Sequence, residues 1–378
     1  MQRHVPLLLL LSSCTQEAPY QELFDQGIDR YMGVFQPTAT RQADDVVQND
    51  FDPAQEDGPS APMCYDGSPF RVMTQDRGSD NVVIFLQGGG LCTSELCLAI
   101  PTAPPGIPPL DITDPDLQAN PVRDWNVVYV PYCDGSLFAG DADIDDDGDG
   151  APDRQQHGLA NLSAALDVAI NAFPRATRLL FSGSSGGGYG IIVGTPLVRR
   201  AWPDAELSVM NDSGVGVVKD GDPGFLTRLI DELNAGSVLP TSCTDCLADG
   251  HLMPVVGWQL DQDPTLRVGM YSSYEDFVIT QMFLAIPQAD FRAPLVRETD
   301  KLLKAFPDRY GRFLNNGAQH GSLIGDISGV LGDVPPEFEM FSSFITIGGL
   351  EDTKAGDVTM GAWLGSFLDD KDWQSVTE

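Results

Sequence analysis

Leu179-Leu180-Phe181-Ser182-Gly183-Ser184-Ser185-Gly186-Gly187-Gly188 is the stretch on which the fold of this chain turns. An apolar run of strand character leads directly into a Gly-x-Ser-x-Gly pentapeptide, the layout of a nucleophile elbow with Ser185 at its tip. A tight strand-to-helix turn needs small neighbours, because its strained backbone leaves no room for a Cβ at Gly183 or Gly187. Such a turn would hold the Ser185 hydroxyl in a cleft above a helix read at 189–200, whose N-terminal N–H groups and positive potential suit an oxyanion. A glycine-rich turn without chemistry shows the same pattern, so the flanking sequence has to separate the two.

Working outward, apolar strand-like runs at 82–86, 127–132, 207–210 and 268–271 alternate with helix-spaced segments at 159–173, 189–200 and 225–233. This alternation predicts an α/β fold, a mostly parallel sheet with helices on both faces. The length of 378 residues suffices for one large core. We read residues 63–378 as a single catalytic domain with loop insertions at 101–109 and 236–260. Residues 14–62 combine one amphipathic stretch, 20–35, with acidic sequence poor in apolar residues, which predicts a tether or N-terminal arm.

A serine nucleophile needs a base, and the chain has 4 histidines. His4 lies in the leading segment, His157 follows an acidic loop, and His251 sits in a Cys- and Gly-containing insertion. His320, in Asn315-Asn316-Gly317-Ala318-Gln319-His320-Gly321, follows the apolar segment 310–314. It alone fits the chain order Ser, acid, His of the α/β-hydrolases. The acid belongs just past the strand at 268–271, where Asp276 is preferred and Glu275 stands beside it; a helix N-terminal acid is the competing role there. Oxyanion donors are expected after the nucleophile, at Gly186, and in the glycine loop of Leu86-Gln87-Gly88-Gly89-Gly90-Leu91-Cys92, at Gly90 and Leu91.

The first 13 residues, basic and then leucine-rich and ending in Leu11-Ser12-Ser13-Cys14, read as an export signal rather than a membrane span. The same ending resembles a bacterial lipobox, which would make Cys14 a lipidated residue of a cell-envelope lipoprotein; secretion without an anchor is the alternative. The remaining cysteines, Cys64, Cys92, Cys97, Cys133, Cys243 and Cys246, form an even set, and in an exported chain this predicts three disulfides of open connectivity. Cys243 and Cys246 read as a local disulfide in preference to half of a metal site. A net charge of −33 argues against nucleic acid and anionic lipid as partners, leaving membrane contact through a lipid anchor. Asp145-Asp146-Asp147-Gly148-Asp149-Gly150-Ala151-Pro152-Asp153, within the Asp-rich loop 143–153, places Asp145, Asp147, Asp149 and Asp153 at the spacing of an oxygen-rich Ca²⁺ loop. It resembles calcium loops of thrombospondin type 3 repeats over these nine residues. A structural Ca²⁺ is thus expected, with no cofactor for catalysis.

Six segments, in order, resemble the pectin acetylesterase and Notum family. They are Met63-Cys64-Tyr65-Asp66-Gly67-Ser68-Pro69, the glycine loop ending at Cys92, Pro131-Tyr132-Cys133-Asp134-Gly135-Ser136, the elbow, Asn211-Asp212-Ser213-Gly214, and the His320 loop. The resemblance implies an α/β-hydrolase-like fold, a Ser-His-Asp triad, and removal of acyl groups from carbohydrate or protein hydroxyls. It also implies disulfides Cys64–Cys133 and Cys92–Cys97. Leu91 stands where the family has an aromatic residue. The expectation is a monomeric, exported serine esterase acting on an ester substrate such as an acylated carbohydrate. A calcium-stabilised binding lipoprotein without turnover is the competing reading, and peptidase activity a third.

Overall fold

The computed structural model describes residues 18–55, 60–325 and 344–378. Its centre is a 10-stranded sheet. In chain order the strands are β1 (Ala39–Ala43), β2 (Val46–Phe51), β3 (Phe70–Gln75), β4 (Asn81–Leu86), β5 (Asn126–Val130), β6 (Arg178–Ser184), β7 (Glu206–Asp212), β8 (Arg267–Ser273), β9 (Tyr310–Asn315) and β10 (Val376–Thr377). Their spatial order is β1-β2-β3-β5-β4-β6-β7-β8-β9-β10. The first three and the β3–β5 contact are antiparallel, and every pairing from β5 onward is parallel. The expected fold class is what the structure has.

The central strands are parallel and buried on both faces, which is why they read as unbroken apolar runs. Alternation within them divides the interior in two. Val82, Ile84 and Leu86 of β4, with Leu179 and Phe181 of β6, enter one core. Val83 and Phe85, with Leu180, enter the other. The first core is covered by helices α2 (Gly158–Ala172), α3 (Gly186–Ala201), α4 (Pro223–Glu232), α5 (Met253–Gln262) and α6 (Arg292–Ala305). The second is covered by α7 (Met360–Asp369), through Trp363, Leu364 and Phe367, and by non-helical chain around Leu110, Ile112 and Leu323. Part of the 236–260 insertion is thus not a loop: its end begins α5, which buries Val255, Val256 and Leu260.

The N-terminal arm is the larger correction. β1 and β2 extend the main sheet, and Tyr20, Leu23, Ile28 and Phe35 are buried in the first core. A short helix, α1 (Gln21–Asp25), is followed by turns instead of continuing to 35, with Gly27 and Gly33 at φ 81° and 75°. The composition misleads because an edge hairpin needs only main-chain pairing and one covered face, so few apolar residues suffice. The buried Asp50 carboxylate is flanked by charge, 3.4 Å from Arg71 Nε and 3.6 Å from Arg41 Nε, and Gln48 Nε2 donates to its Oδ1 at 2.7 Å.

Disulfides join Cys64 to Cys133, Cys92 to Cys97 and Cys243 to Cys246. Among the described residues no helix is long and apolar enough to cross a membrane. The signal segment and Cys14 lie outside the described residues.

Candidate active site

β6 delivers Ser185 and α3 begins at the next residue. Ser185 has φ 56° and ψ −119°, a conformation that costs a non-glycine residue about 1–3 kcal/mol and is held only by over-determined surroundings. Those surroundings are close-packed backbone. A Cβ at Gly187 would overlap Leu86 O, and one at Gly183 would overlap Gly187 O. A Cβ at Gly214 would lie 2.5 Å from Ser185 O. Ser185 N–H donates to Asp212 O at 2.8 Å, tying the turn to the end of β7.

The loops after β8 and β9 carry Asp276 and His320, both buried. They are stitched together by Tyr274 N to Asn315 O at 3.0 Å, Glu275 N to Gly317 O at 3.0 Å and Phe277 N to Ala318 O at 3.1 Å. His320 Nδ1 lies 2.9 Å from Asp276 Oδ2 and 3.0 Å from Oδ1. Asp276 Oδ1 also accepts from Ile279 N–H at 3.0 Å. Nδ1 facing a carboxylate fixes the tautomer that leaves Nε2 as the acceptor. Burial disfavours the imidazolium, but the charge and hydrogen bond of Asp276, with Asp212 behind, outweigh it and hold His320 above the ordinary imidazole value. Glu275, left open beside Asp276 by the sequence, is exposed. The helix expected after Asp276 is a single wide turn, Val278–Phe283.

The other described histidines are engaged elsewhere. His157 Nδ1 lies 2.7 Å from Ala61 O and its Nε2 lies 2.9 Å from Asp143 Oδ1. His251 Nδ1 accepts from Val218 N–H at 3.0 Å, and Nε2 lies 3.1 Å from Arg297.

Gly90 (φ 91°) and Leu91 open a short hairpin, Gly90–Cys92 against Cys97–Ala99, closed by the Cys92–Cys97 disulfide. Gly186 faces this loop, since a Cβ there would lie 3.3 Å from Gly90 O. The Tyr132 hydroxyl joins the loops of the site: it donates to Gly90 O at 3.0 Å and accepts from Leu137 N–H at 2.9 Å. Gly90, Leu91, Ser185 and Gly186 line one cavity with Leu98, Leu137, Tyr189 and Phe283, an apolar recess at the serine.

The Asp-rich loop bulges from the hairpin Ala142–Ile144/Arg154–Gln156. Carboxylate oxygens of Asp145, Asp147 and Asp149 lie within 4.8 Å of one another, all exposed. Asp153 Oδ2 instead accepts from Asp146 N–H at 2.8 Å and Asp147 N–H at 3.3 Å. Arg154 and Gln156, at the hairpin's return, donate to Cys92 O at 3.2 Å and 2.6 Å, so this loop leans on the glycine loop of the site.

Sequence reasoning gave Asp212 no role, yet it is the fully buried carboxylate between the elbow and the histidine loop. It accepts from Ser184 Oγ on one oxygen and from Ser322 Oγ at 2.7 Å on the other. Its neighbour Ser213, at φ 57°, accepts from Gly321 N–H at 2.9 Å through its hydroxyl. Burial raises the Asp212 carboxyl above the usual carboxylate range, and the two serines temper the rise. The signal was available: a polar Asn-Asp-Ser ending an otherwise apolar strand needs buried partners.

Serine on a strained turn after one parallel strand, with acid and base on loops after two later strands, is the organisation of an α/β-hydrolase-like fold. Residues 107–233, which hold Ser185 but neither Asp276 nor His320, match the pectinacetylesterase family. The chain is 26% identical over 176 residues to palmitoleoyl-protein carboxylesterase notum1' of Xenopus laevis, covering 40% of this chain and 34% of that protein. It is 25% identical over 216 residues to pectin acetylesterase 11 of Arabidopsis thaliana, covering 49% and 52%. The aligned stretches thus span a third to a half of these relatives. These matches are to the pectin acetylesterase and Notum family that the quoted segments resemble.

Proposed function

We propose that this protein is an exported serine carboxylic-ester hydrolase that removes acyl groups, acetyl foremost, from carbohydrate or related hydroxyls. The observation that carries the reading is the buried Asp276–His320 pair, the His320 loop of which is fastened, through Asp212, to the strained turn bearing Ser185. The names of the relatives, carboxylesterase and acetylesterase, agree with it. In this mechanism Ser185 Oγ attacks the ester carbonyl while His320 Nε2 takes its proton, and Asp276 stabilises the imidazolium. N–H groups of Gly90, Leu91 and Gly186 receive the oxyanion. His320 returns the proton to the leaving alcohol, and water, activated by the same base, releases the acyl group from Ser185. Export is supported by the three disulfides, which persist in oxidising compartments; lipid attachment at Cys14 rests on the sequence alone.

Intact-mass labelling with a fluorophosphonate tests the chemistry. One adduct is expected on the parent, none on Ser185→Ala and none at a comparable rate on His320→Ala. A folded parent that takes no adduct would move the protein to the binding-lipoprotein reading.

A structural Ca²⁺ at Asp145, Asp147 and Asp149, with Asp153 closing the loop, is the second part of the proposal, supported by spacing and by the grouped carboxylates. Millimolar Ca²⁺ is expected to raise the melting temperature of the parent and not of Asp147→Ala/Asp149→Ala. Equal shifts in both would exclude the site.

A further inference from the structure

Two apolar cavities meet at one aromatic ring. The first, about 40 Å³, is the recess at Ser185; the second, about 50 Å³, lies between α3 and α4 and is lined by Ile192, Leu226, Leu229, Val238 and Leu252. Leu137 and Tyr189 line both. Tyr189 sits one helical turn after the nucleophile, its N–H donating to Ser185 O at 3.1 Å. Its ring packs 5.6 Å from that of Phe283, which packs edge-on at 6.2 Å against Phe225 of α4. Among the described residues the buried Tyr189 hydroxyl has no hydrogen-bond partner, so the ring is not anchored by its polar end. Packing alone holds it between the cavities.

From this we infer that Tyr189 is the specificity residue for acyl length: its ring closes the serine recess, restricts the enzyme to short acyl groups, and separates off a second cavity that would lengthen the pocket. The inference rests on the ester-hydrolase reading above and names its substrate class. Size supports it. The recess is small, about 40 Å³, and removing the ring would join it to the second cavity of about 50 Å³, more than doubling the apolar space beside the serine. The walls of the second cavity are aliphatic, so a chain passing the ring would gain about fourfold in kcat/KM for each methylene buried. Tyr189 also explains how a chain related to a palmitoleoyl-protein carboxylesterase and to a pectin acetylesterase can side with the short acyl group.

The test is the chain-length profile of p-nitrophenyl acetate, butyrate, hexanoate and octanoate with the parent, Tyr189→Phe, Tyr189→Leu and Tyr189→Ala. The parent profile is expected to drop beyond butyrate, and Tyr189→Phe to keep that shape. The octanoate-to-acetate ratio of kcat/KM should rise at least about tenfold in Tyr189→Ala, about 1.4 kcal/mol, with Tyr189→Leu between. Adding Leu229→Phe to Tyr189→Ala should reverse the gain by refilling the second cavity. A parent that turns over octanoate as well as acetate overturns the inference. So do an unchanged ratio in the Ala and Leu variants and a Phe variant that reproduces the Ala gain. Fluorophosphonate labelling of each variant separates the two levels: an adduct with an unaltered profile removes only the role of Tyr189, and no adduct on the parent removes the hydrolase reading with it.

Discussion

Asp276→Asn is expected to lower kcat/KM about a thousandfold to ten-thousandfold while the protein still folds, because the amide keeps the shape but not the charge behind His320. The pH dependence should move with it. The base works only when neutral, so the rate falls as pH drops through the His320 pKa. Burial opposes that pKa, and the Asp276 carboxylate raises it above the ordinary imidazole value of ~6.5. The acid limb of the parent therefore lies above that value. With the carboxylate gone, burial remains, and the limb of the residual activity should shift toward lower pH. Stability runs the other way. A raised histidine pKa contributes stability fully present below the unfolded value and lost as pH rises through the folded one, so the ion pair favours the fold most where the base is idle. A kcat/KM profile for parent and variant checks both statements; an acid limb that does not move would remove Asp276 from the role.

Gly187→Ala should do as much damage through the backbone alone. The added Cβ overlaps Leu86 O, a main-chain atom in the strand beside the elbow, and nothing flexible stands there to yield. Overpacking of this kind costs about 1–3 kcal/mol or more. Because the strain falls on the turn that presents Ser185, fluorophosphonate labelling should be lost together with several degrees of melting temperature. Gly236→Ala is the control: no atom lies within 4 Å of its added Cβ and its φ is not positive, so stability should stay within about 0.5 kcal/mol. If Gly187→Ala labelled at the parental rate, the elbow would not be as tightly determined as its packing says.

The fold was legible where chemistry and packing make the same demand. β4, β5, β6, β7 and β8 are buried on both faces, and each shows as an apolar run within three residues of its ends. Gly183, Ser185 and Gly187 were legible because steric exclusion leaves few alternatives at those positions. The N-terminal hairpin was not, since an edge is held by main-chain bonds that leave no apolar signature. Asp276 and Glu275 could not be told apart by neighbours; only the path of the loop turns one inward and the other to solvent. Asp212 escaped for a related reason, because its partners Ser184 and Ser322 lie on two different elements and converge only in three dimensions.

The N-terminal hairpin also offers a practical handle. Its turn, at Asp44 and Asp45, is exposed at the sheet edge opposite the Asp276 and His320 loops, and five strand spacings of ~4.8 Å separate β1 from β6. Tethering the protein to a bead or electrode through that turn would leave the serine recess facing free solution.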